Sequence, residues 1–397
     1  MGIGRLVIAG LGLLATPLFT RVLSAEEYGV FSLFVAVSAL AAMVPTQWLS
    51  AAVLRYGPLT SHLGLKSMIV KGVILSLPFT VVIAITLSIF TLTSPTVIGI
   101  AALYSISEGC FNVLLVAARA HLRVWAFVAG GVLRNGTGIV VIVLLTFTSI
   151  DIGVTQISLA MLAGSILGGL AISQISARRS RMSPNACDPS LSIWWKYGSP
   201  LILNYALGMG FIYVNRFILL AISGEREVGR FSPTYDLMYA ITTLIVGLIG
   251  LTTVPRIFAL PQGTERLALV RKLHRRVAST AIITVIGLAC VWPWLSTWLM
   301  GPQVRIGDPF VILPLLAAFG LLSYRFQYLN IRLQLAEKTM VVTAATAVTL
   351  GVNIAANFLL IPKYGLMGAA LATLAGAITA VLACIRPIRT DSERVGT

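Results

Sequence analysis

Glu27-Tyr28-Gly29-Val30-Phe31-Ser32 returns 200 residues later as Glu227-Val228-Gly229-Arg230-Phe231-Ser232. Four of the six residues are identical, and each copy follows an apolar run that ends near an arginine, Arg21 or Arg216. A weaker echo pairs the turn Arg119–Arg123 with Gln334–Lys338. The recurrence predicts a duplicated unit. With six helices per copy the two halves share one orientation, which implies a pseudo-two-fold axis along the membrane normal.

The residues around these motifs set the class. Hydrophobic residues make up 57% of the 397, charged residues only 11%, and mean hydropathy is +0.93. A soluble domain of this length needs more charge, so the apolar surface must face lipid. A spanning helix takes ~20 mostly apolar residues. The predicted architecture is an all-α membrane protein of about twelve transmembrane helices. The spans fall near 5–22, 28–49, 68–92, 96–118, 124–148, 153–175, 194–221, 231–256, 278–300, 308–329, 339–361 and 366–385. The first run lacks a small-residue cleavage site before Arg21 and reads as a retained helix, one that starts at the terminus or further upstream. Residues 1–175 then form an N-terminal lobe, 176–193 a polar cytoplasmic linker, 194–385 a C-terminal lobe and 386–397 a cytoplasmic tail.

The formal charge of +16 raises the question of nucleic acid, but the basic residues sit mostly in short loops between apolar runs. That is the footprint of membrane orientation, and no nucleic-acid partner is expected. Arg178, Arg179, Arg181, Arg266, Arg271, Lys272, Arg275 and Arg276 fall on one side; Arg21, Arg226, Arg230, Arg305 and Lys363 are left on the other. The bias places both termini in the cytoplasm. Cys110, Cys187, Cys290 and Cys384 form no metal-spaced set and read as packing residues, and His62, His121 and His274 read as loop residues scattered apart. No metal and no cofactor is expected.

Function in such a chain is best sought among charges at membrane depth. An arginine near a helix centre costs ~2.5–3.5 kcal/mol on insertion scales and needs a partner or a wet cavity. Arg134 falls in the fifth span, Arg325 in the tenth and Arg216 toward the outer end of the seventh, with Arg21 and Arg55 nearer helix ends. Acidic residues at depth are fewer: Glu108 in the fourth span and Asp236 near the start of the eighth. Glu108 could pair with Arg134 as plain structural glue. Cations at depth outnumber anions, however, and guanidinium forks match phosphate oxygens bidentately. A cationic cavity for an anionic ligand is therefore expected from Arg134, Arg216, Arg325, Arg21 and Arg55. Prolines 45, 78, 200, 233 and 314 mark expected kinks. No Walker A lysine, GxSxG, HExxH or paired-carboxylate run is present, so neither ATP-driven transport nor catalysis is indicated.

The segment Leu18-Phe19-Thr20-Arg21-Val22-Leu23-Ser24-Ala25-Glu26-Glu27-Tyr28-Gly29-Val30-Phe31 resembles the first-loop signature of the polysaccharide-export (Wzx-like) flippases. These belong to the multidrug/oligosaccharidyl-lipid/polysaccharide superfamily. Asn353 to Ala370, containing Ile361-Pro362-Lys363-Tyr364-Gly365-Leu366-Met367-Gly368, resembles its eleventh-to-twelfth helix signature. The resemblance implies movement of an undecaprenyl-diphosphate-linked oligosaccharide (an O-antigen, capsule or exopolysaccharide unit) from the cytoplasmic to the periplasmic leaflet. It also implies alternating access driven by an ion gradient, and contact with lipid-linked oligosaccharide, membrane lipids, a polysaccharide polymerase and chain-length proteins. Relatives often carry an acidic residue just before the arginine of the seventh helix. Here that position is Asn215, which leaves Glu108 and Asp236 as the carboxylates for ion coupling. Two other readings stand: a small-molecule or drug antiporter of the same superfamily, and a membrane polysaccharide polymerase or ligase. The first fits poorly with arginines at depth, the second with short outer loops.

Overall fold

The Ser24 hydroxyl accepts from the Glu27 N–H at 3.2 Å, and Glu27 Oε2 accepts from the Ser24 N–H at 2.9 Å. This capping box makes the motif at 27–32 the start of a helix. In the computed structural model, which describes residues 2–60, 62–92, 94–148, 151–177, 190–261 and 263–394, that helix is the second of twelve. The helices are α1 Gly2–Val22, α2 Ala25–Tyr56, α3 His62–Thr91, α4 Pro95–Ala120, α5 Val124–Leu145 and α6 Val154–Ala177. They continue as α7 Leu191–Ser223, α8 Glu225–Ala259, α9 Thr264–Leu299, α10 Pro309–Leu335, α11 Thr339–Tyr364 and α12 Leu366–Arg394. No strand occurs among the described residues.

Among the described residues, ten segments are long and apolar enough to cross a bilayer. One of them, Thr339–Ile385, contains both α11 and α12, which part at Gly365 (φ 54°). Leu6–Val22 of α1 is a shorter apolar helix, and with it the count reaches the twelve read from the sequence. Large apolar side chains such as Ile89, Phe90, Ile283, Ile286 and Leu359 are exposed, as a lipid-facing surface requires. The chain is a multi-pass membrane protein.

The repeat is structural as well as sequential. α2 and α8 begin 200 residues apart, and burial matches position by position: Tyr28, Gly29, Phe31 and Ser32 are buried, as are Val228, Gly229, Phe231 and Ser232. The second echo is closer than its sequence suggests. Leu122 (φ 53°) and Glu337 (φ 58°) occupy the left-handed region at matching positions of two turns. Arg123 N donates to Ala118 O at 2.8 Å, and Lys338 N to Leu333 O at 2.9 Å. Both helices thus end in the same left-handed cap.

Two units emerge, Met1–Met209 and Gly210–Thr397. They divide inside α7, whereas residues 178–189, most of the expected linker 176–193, lie outside the described residues, as does the tip 395–397 of the expected tail. The first half of α7 packs within the first unit. Trp194 joins Trp48, Leu49, Ala52, Val53 and Leu65 in one core, and Trp48 Nε1 donates to Ser76 Oγ at 3.1 Å. Gly198 lets α7 come tightly against α2: a Cβ there would lie 2.3 Å from the Trp48 carbonyl oxygen, which is backbone and has no rotamer to yield. Gly198→Ala is therefore expected to destabilise the protein by roughly 1–3 kcal/mol, read as a lower unfolding temperature in detergent. An unchanged temperature would show that α2 and α7 separate freely here.

All five expected proline positions lie inside helices. Two expectations are corrected: His62 opens α3 and His274 lies within α9, so neither is a loop residue. The basic run Arg266–Arg276 belongs to α9, and His274 Nδ1 lies 3.1 Å from the Tyr324 hydroxyl with its ring against Tyr328.

Candidate functional site

In the first unit the site is built around Arg134 on α5. α6 seats α5 through glycines: a Cβ on Gly164 would meet the Arg134 carbonyl oxygen at 2.4 Å, and one on Gly168 the Gly130 carbonyl oxygen at 2.7 Å. So close a contact fixes the height of α5 and turns Arg134 toward α4. Arg134 Nη2 donates to Glu108 Oε1 at 2.8 Å and Nε donates to Oε2 at 3.2 Å, a two-pronged pair. The same Nη2 donates to the Tyr104 hydroxyl at 3.0 Å, and Nη1 donates to Asn135 Oδ1. Asn135 Nδ2 ties the group to α1 through Ile8 O at 3.0 Å, and Asn112 Nδ2 donates to Glu108 Oε1 at 3.3 Å. Burial is uneven, since the Arg134 side chain is 29% exposed and that of Glu108 only 4%.

The second unit holds two further arginines. Arg216 on α7 is buried and donates through Nη2 to Asp236 Oδ1 on α8, while Asp236 keeps 39% of its side chain exposed. The turn between these helices is the single residue Gly224, whose φ of 83° suits glycine. Beside Arg216 lies a neutral network. Asn215 Nδ2 donates to Thr373 Oγ1 at 2.7 Å, and Asn357 Nδ2 donates to Asn215 Oδ1 at 2.7 Å and to Asn353 Oδ1 at 3.2 Å. Neutral amides and a hydroxyl thus stand where the resemblance implies a carboxylate.

Arg325 differs from the others. It is 1% exposed and opens a π turn, Arg325–Leu329, within α10. Its Nη2 donates to Thr346 Oγ1 at 2.6 Å and to Val342 O at 3.4 Å. Among the described residues its Nε has no acceptor and no carboxylate pairs with it. Single π turns of this kind are frequent at functional positions.

Arg21 and Arg55 stand apart from this set. Both are exposed; Arg21 ends α1, and Arg55 lies in the last turn of α2 with its guanidinium over the Tyr197 ring, 4.5 Å from the centroid. They flank opposite ends of the 32-residue α2. At 1.5 Å per residue they lie roughly 45 Å apart, so one diphosphate cannot reach both. The structure therefore does not gather all five arginines around one point, and Glu108 and Asp236 are each paired with an arginine. Two partners were missed in the sequence. Tyr104 precedes Glu108 by one helical turn and was legible as its same-face neighbour, whereas Thr346 gave no signal.

The protein resembles known membrane proteins over most of its length. The structure of the lipid II flippase MurJ in an inward closed conformation superposes with a TM-score of 0.69 at 16% identity, covering 98% of this chain and 87% of that one. An inward-facing multidrug resistance MATE family transporter of the MOP superfamily gives a TM-score of 0.66 at 16% identity, covering 100% of this chain and 99% of that one. The fold is therefore the two-lobe fold of those proteins. No curated protein sequence matches the chain. The family model described as "Polysaccharide biosynthesis protein" matches residues 1–260, and the chain belongs to that family.

Proposed function

We propose that this protein moves a lipid-linked oligosaccharide, carried on undecaprenyl diphosphate, from the cytoplasmic to the periplasmic leaflet of the bacterial inner membrane. Both termini face the cytoplasm, and residues 176–193 link two lobes that alternate access. The single observation that carries the reading is Arg325, a cation sealed inside a membrane lobe with no carboxylate paired to it among the described residues. A permanent guanidinium in that setting calls for an anionic ligand during the transport cycle. Arg134 and Arg216 add an exchange step. An arriving diphosphate competes with Glu108 and Asp236 for the guanidinium forks, and the freed carboxylate takes up a proton or another cation. Substrate binding and the ion gradient then share the same side chains. Arg21 and Arg55, at the two ends of α2, meet the substrate at entry and exit rather than in the centre. The flipped unit passes to a polysaccharide polymerase and chain-length proteins.

A drug antiporter is favoured by one observation, the likeness to a multidrug transporter, but cations at depth repel the organic cations such carriers move. A polymerase or ligase needs room outside the membrane for donor and acceptor. The longest connections on the predicted periplasmic side are residues 146–153 and 300–308.

Gene deletion is expected to remove surface polysaccharide and to leave lipid-linked oligosaccharide in the cytoplasmic leaflet, protected from a glycosidase added to spheroplasts. Accumulation in the accessible leaflet would point to a polymerase or ligase instead. Protection against cationic dyes with surface glycan unchanged would favour the antiporter.

A further inference from the structure

Each unit carries a cleft at the end where its fourth helix closes in a left-handed cap. In the second unit Arg266 and Arg271 of α9 face Arg332 of α10 across a cleft of about 490 Å³, with Leu267, Val270 and Leu335 as apolar wall. The matching cleft of the first unit measures about 290 Å³. Positions 65, 66, 69 and 70 of α3 stand there in the spacing of 266, 267, 270 and 271, and positions 117 and 121 in that of 332 and 336. The duplication therefore reproduces a cavity as well as helices.

The charges differ between the copies. The first cleft has Lys66 and Arg123, and Arg123 already donates through Nη1 to Ser176 O at 2.5 Å. In the second, none of Arg266, Arg271 and Arg332 forms an ion pair among the described residues; Arg332 Nη1 donates to the Tyr328 hydroxyl at 3.5 Å. Three guanidinium groups beside an aliphatic wall complement a phosphate head that is covalently joined to acyl chains. Free phosphate would leave the wall unused. We propose that the α9–α10 cleft is a binding site for a resident anionic phospholipid, independent of the transported substrate. Juxtamembrane cations draw anionic lipid in general, but a cleft this shaped holds one molecule in a fixed place.

The test is phosphatidylglycerol binding to the full-length protein in detergent, followed by native mass spectrometry with phosphatidylcholine as reference. The triple variant Arg266→Gln/Arg271→Gln/Arg332→Gln is expected to weaken phosphatidylglycerol binding about tenfold or more. A control with the same loss of charge, Lys272→Gln/Arg275→Gln/Arg276→Gln, alters α9 residues outside the cleft and should stay within about twofold of the parent protein. Equal losses in both triples would overturn the proposal in favour of diffuse attraction. Displacement of the lipid by inorganic phosphate at equal concentration would also overturn it, since phosphate alone would then account for the site. Should the first triple not fold, Arg271→Gln and Arg332→Gln alone are each expected to cost about threefold, and unchanged binding in both would refute the site.

Discussion

Replacing Arg325 by methionine is expected to raise the unfolding temperature of the protein and at the same time abolish glycan export. The two effects share one cause. Arg325 has five N–H donors, is 1% exposed, and finds only Thr346 Oγ1 and Val342 O as acceptors among the described residues. Removing such an ion in favour of an apolar chain of similar length is typically neutral or stabilising by about 1–4 kcal/mol. The substitution also leaves no new orphan, because the Thr346 hydroxyl keeps Val342 O as its acceptor at 2.8 Å. Methionine is flexible enough to fill the space left by the guanidinium stem. Export should fall by roughly a hundredfold or more if the guanidinium meets diphosphate, since losing one partner of a desolvated charge pair costs about 2–5 kcal/mol. Arg325→Lys keeps the charge but not the fork and should lie between the two. Surface glycan measured beside thermal unfolding decides the matter. A destabilised Arg325→Met protein that still exports at the parent level would make Arg325 a packing residue and remove the main support for an anionic substrate.

The sequence revealed the helices because hydropathy reads what lipid reads. Where apolar runs and helices disagree, the hydrocarbon thickness explains it. The run at 278–300 marks the membrane-crossing part of α9, but the helix starts at Thr264, and its first turns are too basic to register as a span. The same blindness put His274 in a loop. The pairing of Glu108 with Arg134 could be proposed because neighbouring spans bring them together. Arg216 and Asp236 could have been paired as well: Gly224 alone joins α7 to α8, which sets residues a few turns on either side of it face to face. Other features had no local signature. The π turn at Arg325 depends on packing that shifts the hydrogen-bond register, not on any residue that demands it. The matched caps at Leu122 and Glu337 use neither glycine nor asparagine, so the stronger half of the second repeat was hidden from residue identity.

Arg134→Gln and Glu108→Gln are expected to differ sharply, although they break the same ion pair. Without Arg134, the Glu108 carboxylate stays 3% exposed with neutral groups beside it, Asn112 Nδ2 at 3.3 Å and the Tyr104 hydroxyl, and no cation. Stranding a buried charge in this way costs about 3–5 kcal/mol. Without Glu108, Arg134 retains Tyr104 Oη and Asn135 Oδ1 as acceptors and has 29% of its side chain exposed. The glutamine oxygen at 108 also still accepts from it, so the loss should be nearer 1–2 kcal/mol. The double variant Glu108→Gln/Arg134→Gln contains no stranded charge and should be more stable than Arg134→Gln alone. That inequality is a coupling energy, and it isolates the pair from its surroundings. Export is expected to follow a different order. Glu108→Gln frees the guanidinium for substrate but removes the carboxylate that links binding to the ion gradient, so some export remains with weaker dependence on the gradient. The double variant, stable but lacking the cation, should export nothing. If stability and export recover together in the double variant, the pair is structural cement between α4 and α5, and the exchange of diphosphate for carboxylate has no place in the first unit.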